Sequence, residues 1–557
     1  MGHSRLFDEV RRVMRLATQF ERGGIGTEEG LEREAARRDG GLTRRGVVQG
    51  AASLAALGLG LGAGRVRASG GPRIAIVGGG LAGLVCADRL RAMGYTATIY
   101  EANTRVGGRV HSAAGTFPGQ VAELGGELID NLHKTMLAYA NEFGLLKEDL
   151  GKAPGEKRFF VGGQHYTEAQ IVDEYRQLVP AMRADLQTCS ASPTARSHTA
   201  GDVVLDNLDL GAWLASRAAG VPVIRSVLEQ AYIAEYGLEV SQQSSLNFLL
   251  FAHADRSSKF REYGVFSDER YHLVGGNDAV AQHIAARLPG PMVFGAELVR
   301  LAKNASGTFE LTFRGASTPE LADAVVLAIP FTTLRRVQLD ASLGLTADKM
   351  HAIDTLGYGA NAKTMVGFDG RPWAEQGGNG LIYADLPNVQ TTWETNSTRA
   401  GATSVLTDYA GGAHGLALQS PPPPLGQTST CNNCHNGPGG FMDLQDAVLQ
   451  QQVDGFLTDL DRVVPGAKAR ATRVGGKYVV RRGHWSTQRY SRGSYTCYLP
   501  GQFTTVAGLE GTSAGLLKFA GEHTDSFYSW QGFMEGACLS GLAAANELLD
   551  DVKRGRL

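Results

Sequence analysis

Residues 73–101 read RIAIVGGGLAGLVCADRLRAMGYTATIYE and predict the architecture of the chain. Its apolar run 74–77 predicts a short buried strand, and a glycine-rich loop follows directly. An apolar helical pattern over 81–90 comes next, and residues 97–100 predict a second strand that ends at Glu101. Strand, loop, helix, strand and acid in this order indicate a Rossmann-like βαβ unit that binds a dinucleotide.

The glycines of the loop have the spacing G-x-G-x-x-G, and each has its own function. Gly78 permits a tight turn, Gly80 lets the backbone approach a pyrophosphate, and Gly83 lets the helix pack against the strand. Leu81 and Ala82 open the helix, where free N–H groups and the positive end of the helix dipole attract phosphate. We therefore predict that these five residues hold the diphosphate of a cofactor.

The acid and the residues after it narrow the choice of dinucleotide. Glu101, with Ala102 beside it, is placed to accept hydrogen bonds from a ribose, and an acid here disfavours the 2′-phosphate of NADP. NAD and FAD both remain open from this segment alone. Gly108 and Arg109, which close the segment 105–109, suit a second approach to phosphate with a counter-charge, and this favours FAD.

The overall composition excludes several classes of protein. A chain of 557 residues with 43% hydrophobic and 20% charged residues is long enough for two or three domains with a sizeable core. Its formal net charge of −2 gives no basic field, so we predict no nucleic-acid partner and no anionic membrane partner. The six cysteines do not make a small disulfide scaffold. The sequence leaves the oligomeric state open, with a homodimer as one option.

Residues 1–69 resemble a leader with a twin-arginine export signal. Paired arginines within 43–49 precede the small, apolar stretch 51–64 and an A-x-A-like site at 66–68. The apolar stretch is too short to cross a bilayer as a helix, which needs about 20 residues, so we predict no transmembrane span. The signal predicts an exported protein, periplasmic or secreted, and a chance arginine pair in an N-terminal extension is the alternative.

From about residue 73 to residue 549, with one insertion, the chain resembles the flavin amine oxidases, the family of monoamine, polyamine and L-amino acid oxidases. The motifs that carry the resemblance are, in family order, residues 105–109, 123–127, 273–276, 324–330, 519–522 and 530–537. Beyond the glycine loop, the resemblance implies an FAD-binding role for Gly125, Gly126, Glu127, Val299, Gly521, Glu522, Gly532, Phe533 and Met534. We expect residues 293–301 to form one strand that holds the adenine through Val299.

The resemblance also implies an α/β fold of the amine oxidase type with two domains. A Rossmann-like FAD-binding domain is expected from residues 70–135, 265–345 and 505–550. A substrate-binding domain with a mixed sheet and helices is expected from residues 136–264 and 346–504.

Lys363 begins a predicted strand of the substrate-binding domain, with Met365, Val366 and Phe368 after it. A lysine in an apolar strand is costly unless it is paired or functional. In the family, a lysine at this point holds a water molecule against flavin N5, so the resemblance implies a catalytic role for Lys363. The alternative is a lysine at a strand end whose ammonium group reaches solvent.

Three aromatic residues complete the implied catalytic set. Trp485 begins the family's tryptophan-to-tyrosine segment beside the flavin, and Tyr495 and Phe533 fall on the two walls of its aromatic cage. Two facing rings hold a neutral amine and direct its C–H bond at the flavin, while core packing is the alternative for each ring. Ser494 stands where monoamine oxidases link FAD through a cysteine, so we expect non-covalent FAD.

The leading hypothesis for the activity is oxidative deamination of L-amino acids to 2-oxo acids, ammonia and hydrogen peroxide, with O₂ as the electron acceptor. Monoamine or polyamine oxidation is the alternative, and a flavin-bearing binding protein without turnover is a third. An amino acid substrate needs a cation for its carboxylate, best supplied by a bidentate arginine. Arg261, Arg489 and Arg492 are the candidates, although surface arginines are the simpler interpretation.

Residues 416–442 interrupt the family pattern. After a proline run they contain Cys431, Cys434 and His435 as C-x-x-C-H, the attachment signature of c-type haem. A haem there, with Met442 as the nearby axial candidate, would make the protein an amine dehydrogenase that passes electrons to a haem or cytochrome. A disulfide or a small metal clip in an exported loop is the favoured interpretation. We predict no metal site elsewhere.

Overall fold

The computed structural model describes the chain in five stretches: residues 71–252, 269–418, 441–443, 445–524 and 530–557. Three sequence predictions lie outside these residues: the leader with its export signal, the C-x-x-C-H segment, and Arg261 as a carboxylate-binding residue.

The described residues contain both strands and helices throughout. In chain order, the strands are β1 (Ile74–Val77), β2 (Ala97–Glu101), β3 (Ser112–Phe117), β4 (Gln120–Glu123), β5 (Lys147–Asp149), β6 (Glu156–Val161), β7 (Gln164–Tyr166), β8 (Tyr271–Leu273), β9 (Met292–Phe294), β10 (Leu298–Lys303), β11 (Phe309–Phe313), β12 (Glu320–Ala322), β13 (Ala324–Leu327), β14 (Gln338–Leu339), β15 (Ala362–Phe368), β16 (Gly378–Leu386), β17 (Val389–Glu394), β18 (Ser404–Ala410), β19 (Phe441–Asp443), β20 (Arg473–Val474), β21 (Lys477–Tyr478), β22 (Val480–His484) and β23 (Leu517–Phe519). The α-helices are α1 (Leu81–Ala92), α2 (Lys134–Glu142), α3 (Glu168–Leu186), α4 (Ala200–Asn207), α5 (Leu210–Arg217), α6 (Pro222–Tyr236), α7 (Ser245–Ala252), α8 (Asp278–Arg287), α9 (Phe331–Leu334), α10 (Ala347–Thr355), α11 (Pro372–Glu375), α12 (Gly412–Ala417), α13 (Ala447–Val463), α14 (Gln502–Thr505) and α15 (Met534–Lys553).

The stretch 73–101 forms the centre of a parallel sheet with the strand order β23-β13-β1-β2-β9. All residues of β1 and β13 are buried and aliphatic, as expected for parallel strands that are covered on both faces. Helix α1 follows β1. Helix α15 packs against α1, and both helices contribute residues to one apolar core. The two helices approach closely, since a Cβ added at Gly541 of α15 would lie 2.3 Å from the carbonyl oxygen of Ala82.

A second, eight-stranded sheet has the order β19-β22-β15-β18-β17-β16-β6-β7. Its neighbours pair antiparallel except for β16 with β6, which makes the sheet mixed. Its strands fall in the segments predicted for the substrate-binding domain, and those of the parallel sheet fall in the segments predicted for the FAD-binding domain. The described residues from Pro72 onward belong to one compact unit, so the boundary between two domains stays a prediction.

The eight-stranded sheet has two different faces. One face packs on α13 in a core that contains Val366, Phe368 and Leu457. Across the other face, the register of β15, β18, β17 and β16 pairs four residues in a row: Lys363, Tyr409, Thr391 and Tyr383. Directly paired residues point to the same face, so these four side chains share it.

The expectation of one strand over residues 293–301 is wrong. Strand β9 ends at Phe294 in the parallel sheet, and β10 begins at Leu298 in a separate four-stranded sheet. Gly295 between them has a φ of +73°, a left-handed conformation that glycine adopts without strain and that ends the strand. Val299 then lies at an irregularity in the pairing of β10 with β11.

Three features of the described residues concern a membrane span, a metal site and a haem ligand. Among the described residues, no helix is both long and apolar enough to cross a membrane. Nor does that part of the chain contain three or more His, Cys, Asp or Glu side chains grouped to hold a metal ion. Met442, the axial candidate for a haem, is buried in the core between the eight-stranded sheet and α13.

Candidate active site

A cavity of about 530 Å³ runs from the loops after the parallel strands to the eight-stranded sheet. It begins at the carboxyl ends of β1, β2 and β13, the edge at which open α/β sheets bind ligands. The predicted site residues that line it are Gly78, Gly80, Leu81, Ala82, Glu101, Ala102, Gly108, Arg109, Gly125, Gly126, Glu127, Lys363, Trp485, Tyr495, Gly521, Glu522, Gly532, Phe533 and Met534. We call the part lined by Gly80 and Glu101 the nucleotide end, and the part lined by Lys363 and Glu127 the lysine end.

The glycine loop forms a cradle that side chains would fill. Gly78 has a φ of +109°, and a Cβ there would lie 2.4 Å from the carbonyl oxygen of Ala328. A Cβ on Gly108 would lie 3.2 Å from the Cα of Gly80, so the two loops approach each other through glycines. Helix α1 begins after Gly80 without a side-chain cap and without an acid in its first turn, which leaves its N–H groups open to the cavity. This geometry fits the diphosphate of a dinucleotide.

Two predicted residues do not line the cavity. A Cβ on Gly83 would lie 2.1 Å from the carbonyl oxygen of Gly78, so Gly83 permits close packing of α1 and does not face a ligand. Val299 is absent from the wall, which is formed there by Ala296, Glu297 and Leu298. Because β9 ends early and the chain turns at Gly295, the residues directly after the turn reach the cavity instead.

Glu101 is buried at the carboxyl end of β2 and holds the glycine loop in place. Its two carboxylate oxygens accept hydrogen bonds from the backbone N–H of Gly79 at 2.6 Å and of Asn103 at 2.7 Å. Burial raises the pKa of this carboxyl above its usual value. Each carboxylate oxygen has a further lone pair, so Glu101 is also able to accept hydrogen bonds from ribose hydroxyl groups in the cavity.

Arg105 is a site residue that the sequence did not single out, and it braces the second glycine turn. Its guanidinium donates hydrogen bonds to the carbonyl oxygens of Val106, Gly108 and Val110. Burial lowers the pKa of Arg105 to about 10, so the group stays charged near neutral pH. Arg105 therefore supplies positive charge beside the cradle.

Arg109 and Glu522 link segments that are far apart in the chain. Arg109 Nη1 donates to Glu522 Oε1 at 2.6 Å and to the carbonyl oxygen of Ser494 at 2.8 Å. Glu522 Oε2 accepts from Thr496 Oγ1 at 2.8 Å and from the N–H of Gly532 at 2.9 Å. The four segments around the cavity are thus bonded to one another, and Glu522 already balances the charge of Arg109.

Lys363 is buried and paired, so the alternative of a lysine that reaches solvent is wrong. Its Nζ donates to Glu127 Oε2 at 2.5 Å and to the carbonyl oxygen of Gly125 at 3.0 Å. The Lys363 and Glu127 side chains are only 5% and 2% exposed. Trp393 Nε1 donates to the other carboxylate oxygen of Glu127 at 3.0 Å. An ammonium group has three N–H donors, so Lys363 retains one for a water molecule or ligand in the cavity.

Trp485 and Phe533, which the resemblance places beside the flavin, both line the cavity. Trp485 Nε1 donates to the carbonyl oxygen of Leu124 at 2.8 Å, and this bond holds the indole beside the glycine pair. Phe533 directly precedes α15, and its ring centroid lies 5.2 Å from that of His133. Protein contacts therefore hold both rings at the cavity wall.

Tyr495 is held by hydrogen bonds from its hydroxyl group. The Tyr495 and Tyr409 hydroxyls lie 2.9 Å apart, and Tyr495 donates to the carbonyl oxygen of Glu235. A Cβ on Gly532 would lie 3.2 Å from the Tyr495 ring, so the chain before Phe533 passes against this ring. The structure therefore brings Tyr495 and Phe533 to one part of the wall, and their action as a cage stays a prediction.

The lysine end also contains residues on the eight-stranded sheet that the sequence did not reveal: Tyr383, Thr391, Trp393 and Tyr409. The rings of Trp393 and Tyr409 meet edge-on, with centroids 5.3 Å apart. Alternation along β17 places Thr391 and Trp393 on one face, and this alternation is visible in the sequence. Which face meets the cavity depends on how the strands pair, and that information is not local.

The two described arginine candidates for a substrate carboxylate lie at the nucleotide end. Arg489 donates to Glu297 at 2.7 Å, in the turn after β9 whose backbone is bonded to Glu101. The pKa of Arg492 is lowered mainly by burial. The positive charges of its neighbours Arg336 and Arg489 lower it further. Both arginines line the cavity, and Arg489 is already paired with Glu297.

Comparison with protein families supplies a match over most of the chain. Residues 81–426 and 444–549 match the model of the family described as flavin containing amine oxidoreductase. The matched ranges include Lys363, Trp485, Tyr495 and Phe533, and the break between them overlaps the insertion predicted from the sequence.

Two relatives are each identical to this chain at 24% of the aligned positions. An L-amino-acid oxidase from Siganus canaliculatus is 24% identical over 489 residues, which cover 85% of each chain. A putative L-amino-acid oxidase from Bacillus subtilis is 24% identical over 506 residues, which cover 85% of this chain and 94% of that one.

Solved structures share the fold. Cyclohexylamine oxidase from Brevibacterium oxydans has a TM-score of 0.70 at 18% identity, covering 86% of this chain and 99% of that one. Wild-type putrescine oxidase bound to putrescine has a TM-score of 0.68 at 19% identity, with the same coverage of both chains. At these identities the likeness establishes the fold: a mixed α/β architecture of the amine oxidase type.

Proposed function

The chain belongs to the flavin-containing amine oxidoreductase family, and on this basis we propose that it binds FAD non-covalently and oxidatively deaminates L-amino acids. Family membership makes the protein an oxidoreductase that uses a flavin and acts on small amines. FAD as the flavin, its non-covalent attachment and the amino acid substrate are the proposal. The observation that carries it is one cavity that joins a dinucleotide cradle to a buried lysine and an aromatic wall.

The residues at the nucleotide end fit FAD. Gly78, Gly80 and the N-terminus of α1 would hold the diphosphate, and Glu101 would bind a ribose. Arg105 would add positive charge beside the phosphates. When bound, FAD supplies the acceptor for the hydride that leaves the carbon bearing the amine.

The residues at the lysine end would orient the amine and a water molecule. Tyr495 and Phe533 would hold the neutral amine between their rings. The third N–H of Lys363 would bind the water, while Glu127 and Gly125 hold the ammonium group in place. In this proposal, loss of a hydride from a neutral amine requires no general base.

Non-covalent attachment is supported by the residues around Ser494. Ser494 Oγ donates to Asn361 Oδ1 at 2.5 Å, at the position where the resemblance to monoamine oxidases would require a cysteine for a covalent link. The described cysteines are free thiols, and none of them lines the cavity: Cys86, Cys189, Cys497 and Cys538.

The amino acid substrate is supported by the relatives that carry the name L-amino-acid oxidase. In the proposed reaction, the substrate loses a hydride from its α-carbon and a proton from its nitrogen and becomes an imino acid, which water hydrolyses to a 2-oxo acid and ammonia. O₂ takes up the two electrons with two protons and leaves as hydrogen peroxide. One amino acid, one O₂ and one water thus give one 2-oxo acid, one ammonia and one peroxide.

A substrate panel tests this proposal. Purified protein is offered L-amino acids and simple mono-, di- and polyamines at equal concentrations, and peroxide and ammonia are measured. We expect both products from L-amino acids in equal amounts. Turnover of amines alone contradicts the amino acid substrate.

A monoamine or polyamine oxidase is the second candidate, and the charges at the lysine end favour it. Among the described residues at this end, Lys363 is the positively charged side chain that a substrate carboxylate would need, and Glu127 already balances its charge. A substrate carboxylate would then lack a charged partner from this part of the chain, whereas a neutral amine needs none.

We further propose that the protein is exported by its twin-arginine signal. The proposal rests on the sequence of residues 43–68, and it agrees with a cofactor-binding protein that must fold before transport.

A further inference from the structure

One buried hydroxyl at the lysine end has no partner in the described part of the chain. Thr391 is 3% exposed and lines the cavity, and its Oγ1 makes no hydrogen bond to any described residue. The next residue, Thr392, points to the opposite face of β17 and donates to the carbonyl oxygen of Gly380 at 2.9 Å. A buried hydroxyl without a partner costs free energy, and a polar ligand group that reaches Thr391 removes that cost.

The register of the sheet fixes the position of Thr391 relative to the lysine. Lys363 pairs with Tyr409, and Tyr409 pairs with Thr391 on the next strand. Neighbouring strands lie about 4.8 Å apart, which puts the Cα atoms of Lys363 and Thr391 roughly 10 Å from each other. A substrate whose amine lies at Lys363 must therefore extend several bonds to reach the hydroxyl.

The wall around this hydroxyl is aromatic. Tyr409 and Tyr383 flank Thr391 on the neighbouring strands, and Trp393 follows on the same face of β17. The Trp393 and Tyr409 rings meet edge-on, so aromatic rings lie beside a hydroxyl group to which no described residue bonds. Such a surface matches a planar apolar group with a polar tip.

We propose that Thr391 is a specificity-determining residue that hydrogen-bonds the O–H or N–H at the tip of an aromatic substrate side chain, a phenol or an indole. The inference rests on the proposed function, since it places the reacting amine at the lysine end. The threonine hydroxyl accepts the hydrogen of the ligand and, with a phenol, donates to its oxygen in a second orientation. Plain phenyl and aliphatic side chains leave the hydroxyl without a partner.

The test compares substrates that differ only by the hydroxyl group, in the FAD-loaded protein. kcat/KM is measured for L-tyrosine against L-phenylalanine, and for tyramine against 2-phenylethylamine. We expect the wild type to prefer the phenol about tenfold, Thr391→Val to abolish the preference, and Thr391→Ser to retain it. Thr392→Val is the matched control, because it removes a neighbouring hydroxyl that faces away from the cavity.

Two further measurements separate binding from folding. Calorimetric titration with 3-(4-hydroxyphenyl)propionate and 3-phenylpropionate is expected to show tighter binding of the phenol to the wild type and equal binding to Thr391→Val. The melting temperature is expected to fall in Thr392→Val, which loses a bond to Gly380, and to stay unchanged or rise in Thr391→Val, which loses none.

The outcomes also separate this inference from the proposed function. If only amines are oxidised, the amino acid substrate is wrong, and the tyramine pair still tests Thr391. A wild type without preference in any pair, or a folded Thr391→Val that keeps the preference, overturns the role of Thr391 whether or not amino acids are substrates.

Discussion

Lys363 Nζ lies 2.5 Å from Glu127 Oε2, although 236 positions separate the two residues in the chain. Both side chains are buried, so each charge depends on the other. We expect Glu127→Gln to lower the free energy of unfolding by about 3–5 kcal/mol, because it leaves a buried ammonium group without its counter-charge. The measurement is urea unfolding at pH 7 of Glu127→Gln, Lys363→Met and the double variant. The double variant should lose less than the sum of the two single losses, and strictly additive losses would show that the pair is not coupled.

Substitution of Gly78 is expected to abolish flavin binding. A Cβ at Gly78 would lie 2.4 Å from the carbonyl oxygen of Ala328, and its φ of +109° is strained for any other residue. Gly94 is a matched control, because its φ is +85° but nothing lies within 4 Å of its Cβ position. Gly78→Ala should therefore be purified without the flavin absorbance, whereas Gly94→Ala should keep it and lose only about 1–2 kcal/mol of stability. Equal flavin content in both variants contradicts the cradle.

Stability is expected to fall as pH rises because of Glu123. Burial raises the pKa of this carboxyl from 4.5 to about 7. Between pH 4.5 and about pH 7, the folded protein keeps a proton on Glu123 that the unfolded chain has released. This proton stabilises the folded state at the acidic end of the range, and the stabilisation is lost as the pH rises towards 7. We expect the wild type to lose about 3 kcal/mol relative to Glu123→Gln across this range. Unfolding of both proteins at pH 5 and pH 8 checks this, and parallel pH dependences would rule it out.

The flavin is expected to leave the protein on denaturation. Ser494 offers no thiol for a covalent link, and the described cysteines stand outside the cavity wall. Acid precipitation should therefore give a colourless pellet and a yellow supernatant, whose flavin is identified as FAD by chromatography. A yellow pellet would show a covalent bond and contradict the proposal.

Export is expected to depend on the arginine pair. Conversion of Arg44 and Arg45 to lysine keeps the charge and removes the pair that the twin-arginine signal requires. We expect the variant to stay in the cytoplasm of a bacterial host, while the wild type reaches the periplasm or the medium. Cell fractionation with antibody detection measures this, and export of the variant at the wild-type level argues for a different route.

The nucleotide end could be predicted from the sequence because its information is local. The strand, glycine loop, helix and acid stand within residues 73–101, and each step of that order has a physical reason. The early end of β9 has a local signal too, since Gly295 interrupts the apolar run and a glycine in such a run indicates a turn.

The lysine end could not be predicted in the same way, because it is assembled across strands. Trp393 bonds to Glu127 over a separation of 266 positions. Thr391 and Thr392 are identical residues next to each other, and only the pairing of β17 decides which of them meets the cavity. Resemblance to a family placed Lys363, but the carboxylate that holds it became visible only in three dimensions.

The packing of α15 on α1 has a consequence for biosynthesis. Helix α1 follows the glycine loop near the start of the described chain, yet the helix that covers it, residues 534–553, is translated only after every described strand of both sheets. A nascent polypeptide that has not yet reached residue 534 therefore lacks the helix that packs on α1. Stable flavin binding is therefore expected only after residues 534–553 have been translated, and a premature stop before residue 534 would release a chain that has its glycine loop but lacks the helix that packs on α1.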